Sequence, residues 1–193
     1  KLVLACQMFY PLYSTVMKPP LERTYWVIAD KMLAGLYPGD KDRNTIHYKL
    51  NTFLDAGIRT FINLMEEDEC DHNGNVFAPY DNDLKRFAAA RGLDVAILRY
   101  PIRDLGIPTD SVMKSILDTI DDSIERGKPV YLHCWGGRGR TGSVVGCYLA
   151  HHGMGKAADA LALIRKLRSE HAGMHDEAPE TKEQKQMVIR WNI

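Results

Sequence analysis

The segment Val130-Tyr-Leu-His-Cys134-Trp-Gly-Gly-Arg-Gly-Arg140-Thr-Gly-Ser143 constrains this chain more than any other. A short apolar run enters a glycine-rich loop, and the loop passes straight into a second apolar run of helical character. That order is expected where a buried strand of an α/β sheet hands the chain to a helix packed on the sheet. Gly136, Gly137 and Gly139 are expected to let the backbone take positive φ angles and turn several N–H groups inward, and the helix adds the positive end of its dipole. The segment therefore predicts a site for a phosphate or sulfate group.

The rest of the chain repeats the strand-then-helix alternation. Apolar runs at Tyr25–Ile28, Thr60–Leu64, Val95–Leu98 and Val130–His133 read as strands, and Asn44–Ala56, Asp83–Ala90 and Ser111–Glu125 read as helices. Met113, Ile116, Leu117, Ile120 and Ile124 recur at three- and four-residue steps, so the third helix should lie on the sheet by one face. After Thr141 the pattern is wholly helical, over Ser143–His151, Ala157–Arg168 and a segment opened by Pro179 and running toward Trp191. With 193 residues, 45% of them apolar, the chain fits one domain with a real core. The expected fold is a single α/β domain with a central, mostly parallel sheet of four or five strands, helices on both faces, and the glycine-rich loop at the carboxyl end of a central strand. Residues 1–20 read as an N-terminal extension; the apolar run before Cys6 is too short for the core of a signal peptide. Residues 21–193 read as the domain. The acidic loop Glu66 to Tyr80 is long for so small a domain. It reads equally as a functional loop or as a solvated excursion.

Several function classes are excluded. Lys plus Arg and Asp plus Glu are both 25, so no global basic field exists to hold nucleic acid or an anionic membrane. No run of about 18 apolar residues offers a membrane span. Cys6, Cys70, Cys134 and Cys147 form no Cys-x-x-Cys pair, which argues against a zinc ribbon or a disulfide scaffold and for a reducing cytoplasm. His171 and His175 lack a third ligand, and His151-His152 read as solvated, so no metal is expected. No cofactor is expected either. Gly137-x-Gly139-x-x-Gly142 matches the dinucleotide fingerprint, but more helix follows where a second strand with a ribose-binding acid is required.

Within the loop each polar residue has a chemical use. Cys134 stands where inward amides and the helix terminus stabilise a thiolate. Arg140 can return across the loop mouth and grip two phosphate oxygens in a fork. Thr141 offers a hydroxyl to the sulfur, and His133 is expected to brace the loop through its ring nitrogens. Trp135 should shape the rim, and Arg138 is an added cation that could read a second phosphate. Cys147 reads as core; Cys70 is a possible redox partner of Cys134.

His133, Cys134, Gly137, Arg140 and Thr141 together resemble the signature of the cysteine-dependent protein tyrosine and dual-specificity phosphatases, with Gly142 also typical. The resemblance, to small atypical members, runs from about Leu21 to Trp191 and includes Leu33-Ala-Gly-Leu-Tyr-Pro-Gly39 and Pro179-Glu-Thr-x-x-Gln184. It implies phosphate-monoester hydrolysis through a phosphocysteine, without metal, on phosphorylated proteins or peptides. The leaving group needs a proton from a mobile loop, and Asp104, in Pro101 to Pro108, fits the family's general acid. Asp110 and the stretch Glu66 to Asp71 are the fallbacks. Gln184 matches the position that orients the attacking water. The substrate-binding set is Trp135, Gly136, Gly137, Arg138, Gly139 and Arg140. A phosphoinositide or inositol-polyphosphate phosphatase, favoured by Arg138, and a non-catalytic phosphate-binding module are the alternatives.

Overall fold

The structure, a computed structural model, describes residues 18–155, 158–169 and 174–191. Residues 1–17, most of the expected extension, lie outside the described residues, as do Ala157 and His171. Among the described residues five strands, β1 (Thr24–Ile28), β2 (Met32–Gly35), β3 (Thr60–Asn63), β4 (Ala96–Arg99) and β5 (Val130–His133), form one sheet in the order β1-β2-β5-β3-β4. Only the β1–β2 pair is antiparallel. Six helices accompany them among the described residues: α1 (Arg43–Asp55), α2 (Asp81–Ala90), α3 (Asp110–Glu125), α4 (Gly139–His151), α5 (Ala158–Ser169) and α6 (Lys182–Arg190).

The side-chain period of two sorts the sheet's faces. Phe61 and Tyr131 project to one side, where Phe53 of α1 meets them at ring-centroid distances of 5.9 and 4.1 Å. Thr60 projects to the other and hydrogen-bonds Ser123 of α3. On that side α4 packs on β2, β5, α3, α5 and α6, and its residues from Gly139 to Leu149 are all buried. A helix enclosed all round needs close approaches, and a Cβ on Gly146 would stand 2.5 Å from Val188. Side chains start the helices: Asp42 accepts from the Thr45 N–H for α1, and Thr181 with Gln184 forms a reciprocal capping box on α6.

Three expectations need correction. β2 was missed, because Met32–Gly35 is a four-residue strand buried on both faces and carries no alternation. Helix α4 begins at Gly139 and not Ser143, so Arg140 and Thr141 stand in its first turn. Of the three loop glycines only Gly137 takes a positive φ, of 66°. Its absent side chain also lets the loop lie on β2, since a Cβ there would be 2.4 Å from the Gly35 carbonyl carbon. Among the described residues no strand follows β5, which removes the dinucleotide reading.

Candidate active site

β5 lies between β2 and β3, and the loop leaving its carboxyl end opens on a cavity of about 690 Å³. Cys134, Trp135, Gly136, Arg138, Gly139, Arg140 and Asp104 all line it. Every member of the expected substrate-binding set except Gly137 therefore lines the cavity, and Asp104 arrives from a separate loop. Arg138, at the N-cap of α4, makes no side-chain cap, so the first-turn amides keep their capacity for an anion.

Arg140 is the most constrained side chain. It is 2% exposed, and its Nη1 and Nη2 donate to both carboxylate oxygens of Glu69, at 2.5 and 2.7 Å. Nη1 also donates to the Ile102 carbonyl at 3.1 Å, and Nη2 lies 2.9 Å from Asp104 Oδ1. Burial opposes the charge, but the bond from Glu69 and the nearby Cys134 and Asp104 hold the guanidinium pKa above its ordinary value. The long acidic loop is mostly exposed to water yet engages the site. It carries Glu69 into the site, closed on itself by a Cys70–Val76 bridge and by Asp71, which accepts from the N–H groups of Asn73 and Asn75. Glu69 was visible in the sequence only as one member of an acidic run.

His133 is fully buried, and its pKa is pushed down to about 3 by desolvation, with Arg99 and Arg140 adding to the fall and the Cys134 carbonyl opposing it. The ring is neutral: Nδ1–H donates to the Cys134 carbonyl at 3.2 Å, and Nε2 accepts from the Tyr80 hydroxyl at 2.8 Å. These two bonds tie the first carbonyl of the loop to Tyr80. Thr141 Oγ1 is buried without a hydrogen-bond partner, so the expected bond to the Cys134 sulfur is not made in this structure. Trp135 packs between His72 and Phe77, at 4.4 and 5.3 Å, and forms part of the rim.

Two assignments are redirected. Arg138 donates through Nε to the Glu177 carbonyl at 2.8 Å and through Nη1 to Glu180 at 3.0 Å, so it ties the loop to the segment before α6 and is not a free reader of a second phosphate. Gln184 is buried, accepts from the N–H groups of Glu180 and Thr181, and donates to the Gly106 carbonyl at 3.0 Å. Its oxygen is spent on the cap of α6 and its nitrogen holds the Asp104 loop, so in this arrangement it does not face a water in the cavity. The fallback acid Asp110 is paired through both oxygens with Arg190.

Cys70, Cys134 and Cys147 are free thiols, and burial pushes the Cys147 thiol well up, as a core residue requires. His152 lies against Asp121 at 3.1 Å and meets the Tyr148 ring at a tilt of 46°; His175 is exposed. Among the described residues no group of three or more His, Cys, Asp or Glu could hold a metal, and no helix is long and apolar enough to cross a membrane.

Solved structures define the fold class. PTPMT1, solved in complex with PI(5)P, superposes with a TM-score of 0.65 at 19% identity, covering 88% of this chain and 94% of that one. TpbA of P. aeruginosa, solved in complex with pTyr, gives 0.61 at 16% identity, covering 94% and 91%. The fold is that of the protein tyrosine phosphatases. The chain belongs to the family described as "Polymorphic toxin system, DSP-PTPase phosphatase", which matches residues 38–154. The dual specificity protein phosphatase CDC14B of Mus musculus is 29% identical over 150 residues, 74% of this chain and 27% of the relative. The chain spans between about a quarter and a half of the length of such curated relatives.

Proposed function

We propose that this chain is a cysteine-dependent phosphatase that hydrolyses phosphate monoesters of proteins or peptides through a phosphocysteine. The observation that carries this reading is the convergence of Cys134, Arg140 and Asp104 on one cavity at the carboxyl end of the central strand. The Cys134 thiolate attacks phosphorus, an S–P bond forms, and the bond to the ester oxygen breaks. Asp104 gives its proton to that oxygen. Water then attacks phosphorus, the S–P bond breaks, the thiolate is restored, and Asp104 takes back a proton. Arg140 and the amides of the loop and α4 hold the phosphoryl oxygens throughout. Asp104 lies on Arg140 Nη2 and is about half exposed, so it swings off the guanidinium as the phosphate arrives.

The aromatic rim of Trp135, His72 and Phe77, with the exposed apolar side chains of Val76 and Leu105 beside it, suits a phosphotyrosyl ring or an apolar peptide flank. The phosphoinositide reading keeps the support of PTPMT1's crystallised ligand but loses the argument from Arg138. The test is Cys134→Ser, assayed on phosphotyrosyl peptides and on an aryl phosphate. Turnover is abolished and substrate still binds; residual hydrolysis above about a hundredth of wild type refutes the covalent route.

A further inference from the structure

Arg168, near the carboxyl end of α5, is 3% exposed. It lines the same cavity as Cys134 and Arg140. Its Nη1 donates to the Gly137 carbonyl of the loop at 2.7 Å, and its Nε is buried without a partner. Its guanidinium carbon lies 5.8 Å from the centre of the Tyr25 ring. Among the described residues no carboxylate pairs with it. Tyr25 does not supply the missing charge: burial, the largest influence, pushes its phenol up to about 12, against the lowering by Arg168. A buried guanidinium left without a counter-charge carries a large desolvation penalty, and such groups are ordinarily paired.

The other cations of the cavity are differently placed. Arg140 is held by Glu69 and Asp104, Arg138 by Glu180, and Lys49 by Asp40. Arg23 and Lys41 are exposed to water. Glu69 alone cancels the charge of Arg140 once Asp104 has swung away, so Arg140 by itself does not offset an entering dianion. We infer that Arg168 is a second cation of this site, a positioning residue whose counter-charge is the tetrahedral anion held by the 134–140 loop. It acts through the Gly137 carbonyl and through a field that no carboxylate among the described residues compensates. This rests on the reading that the loop binds phosphate, and it adds a requirement that the motif residues do not contain.

The test separates charge from bracing. Arg168→Lys keeps the charge and loses the fork; Arg168→Gln keeps a donor for the Gly137 carbonyl and loses the charge. Both fill most of the original volume. Tungstate, a stable tetrahedral oxyanion, is titrated into the full chain by calorimetry, and thermal midpoints are recorded with and without it. Arg168→Lys should bind within about threefold of wild type and Arg168→Gln at least about tenfold more weakly, as expected for loss of a buried charge contact. The tungstate-induced rise in midpoint should shrink for Gln in parallel. If Arg168→Gln binds within about threefold of wild type, or Arg168→Lys is as weak as Gln, Arg168 only braces the loop and the inference fails by itself. If the wild type binds no tungstate, the phosphate-binding reading falls and this inference falls with it.

Discussion

Glu69→Gln tests the contact that most distinguishes the folded site from its linear motif. Glu69 is 9% exposed and engages both terminal nitrogens of Arg140, itself 2% exposed. The amide keeps one acceptor oxygen but turns an NH₂ toward a guanidinium N–H. Removing one partner of a buried ion pair costs about 3–5 kcal/mol. Here Asp104 and the Ile102 carbonyl remain on Arg140, which places the expected loss near the lower end, about 3 kcal/mol. A domain of this size loses about 2–4 °C of midpoint per kcal/mol, so the variant should melt about 6–12 °C lower. The loosened guanidinium should also grip the transferring phosphoryl group less well. A charge-assisted bond worth about 1.5–3 kcal/mol corresponds to a fall in kcat/KM of about 10- to 100-fold. Urea unfolding and aryl phosphate hydrolysis measure the two effects. Added tungstate should raise the variant's stability less than the wild type's, because a loosened guanidinium binds the anion more weakly. A variant within about 0.5 kcal/mol of wild type, with kcat/KM unchanged, would refute the clamp.

Three further outcomes are expected. Asp104→Asn should lower turnover of tyrosyl or alkyl phosphates by at least about 100-fold, and that of an activated aryl ester much less, because only a poor leaving group needs the proton; an equal loss on both places the acid elsewhere. Arg138→Ala, which removes the tie to Glu180 and the Glu177 carbonyl, should reduce activity by the same factor on singly and multiply phosphorylated substrates, whereas a selective loss on the latter restores the inositide alternative. His133 has its pKa lowered from 6.5 to about 3 in the fold, so between those values the unfolded chain takes a proton that the folded chain refuses. Its contribution is fully present above pH 6.5 and is lost on acidification through that window, by up to about 5 kcal/mol at about 1.4 per unit. Urea unfolding at stepped pH should show a shallower acid slope for His133→Gln, and an unchanged slope would show that other groups govern it.

The sequence by itself determined what contiguous residues can determine. The run from Val130 to Ser143 carries strand, anion loop and helix within fourteen positions, so Cys134 and Arg140 stand close together in the chain at the same cavity. The periodic apolar residues of α3 declared their buried face for the same reason. Asp104 was legible through the family resemblance, which implies an acid in a loop upstream of the cysteine, and its side chain lines the same cavity. Only the tertiary structure decided the rest. β2 has no alternation because both its faces are covered, and Gly137 needs to be glycine partly because Gly35, about a hundred residues away, lies against it. Arg138 and Arg140 look alike in the chain, yet one is spent on Glu180 and the other is buried against Glu69. Gln184 is diverted to a helix cap and the acid loop. Arg168 reads as an ordinary cation at the end of a helix until α5 docks and buries it behind the loop. Charge pairing and burial are set by distances between segments remote in sequence, and a linear pattern holds no measure of those distances.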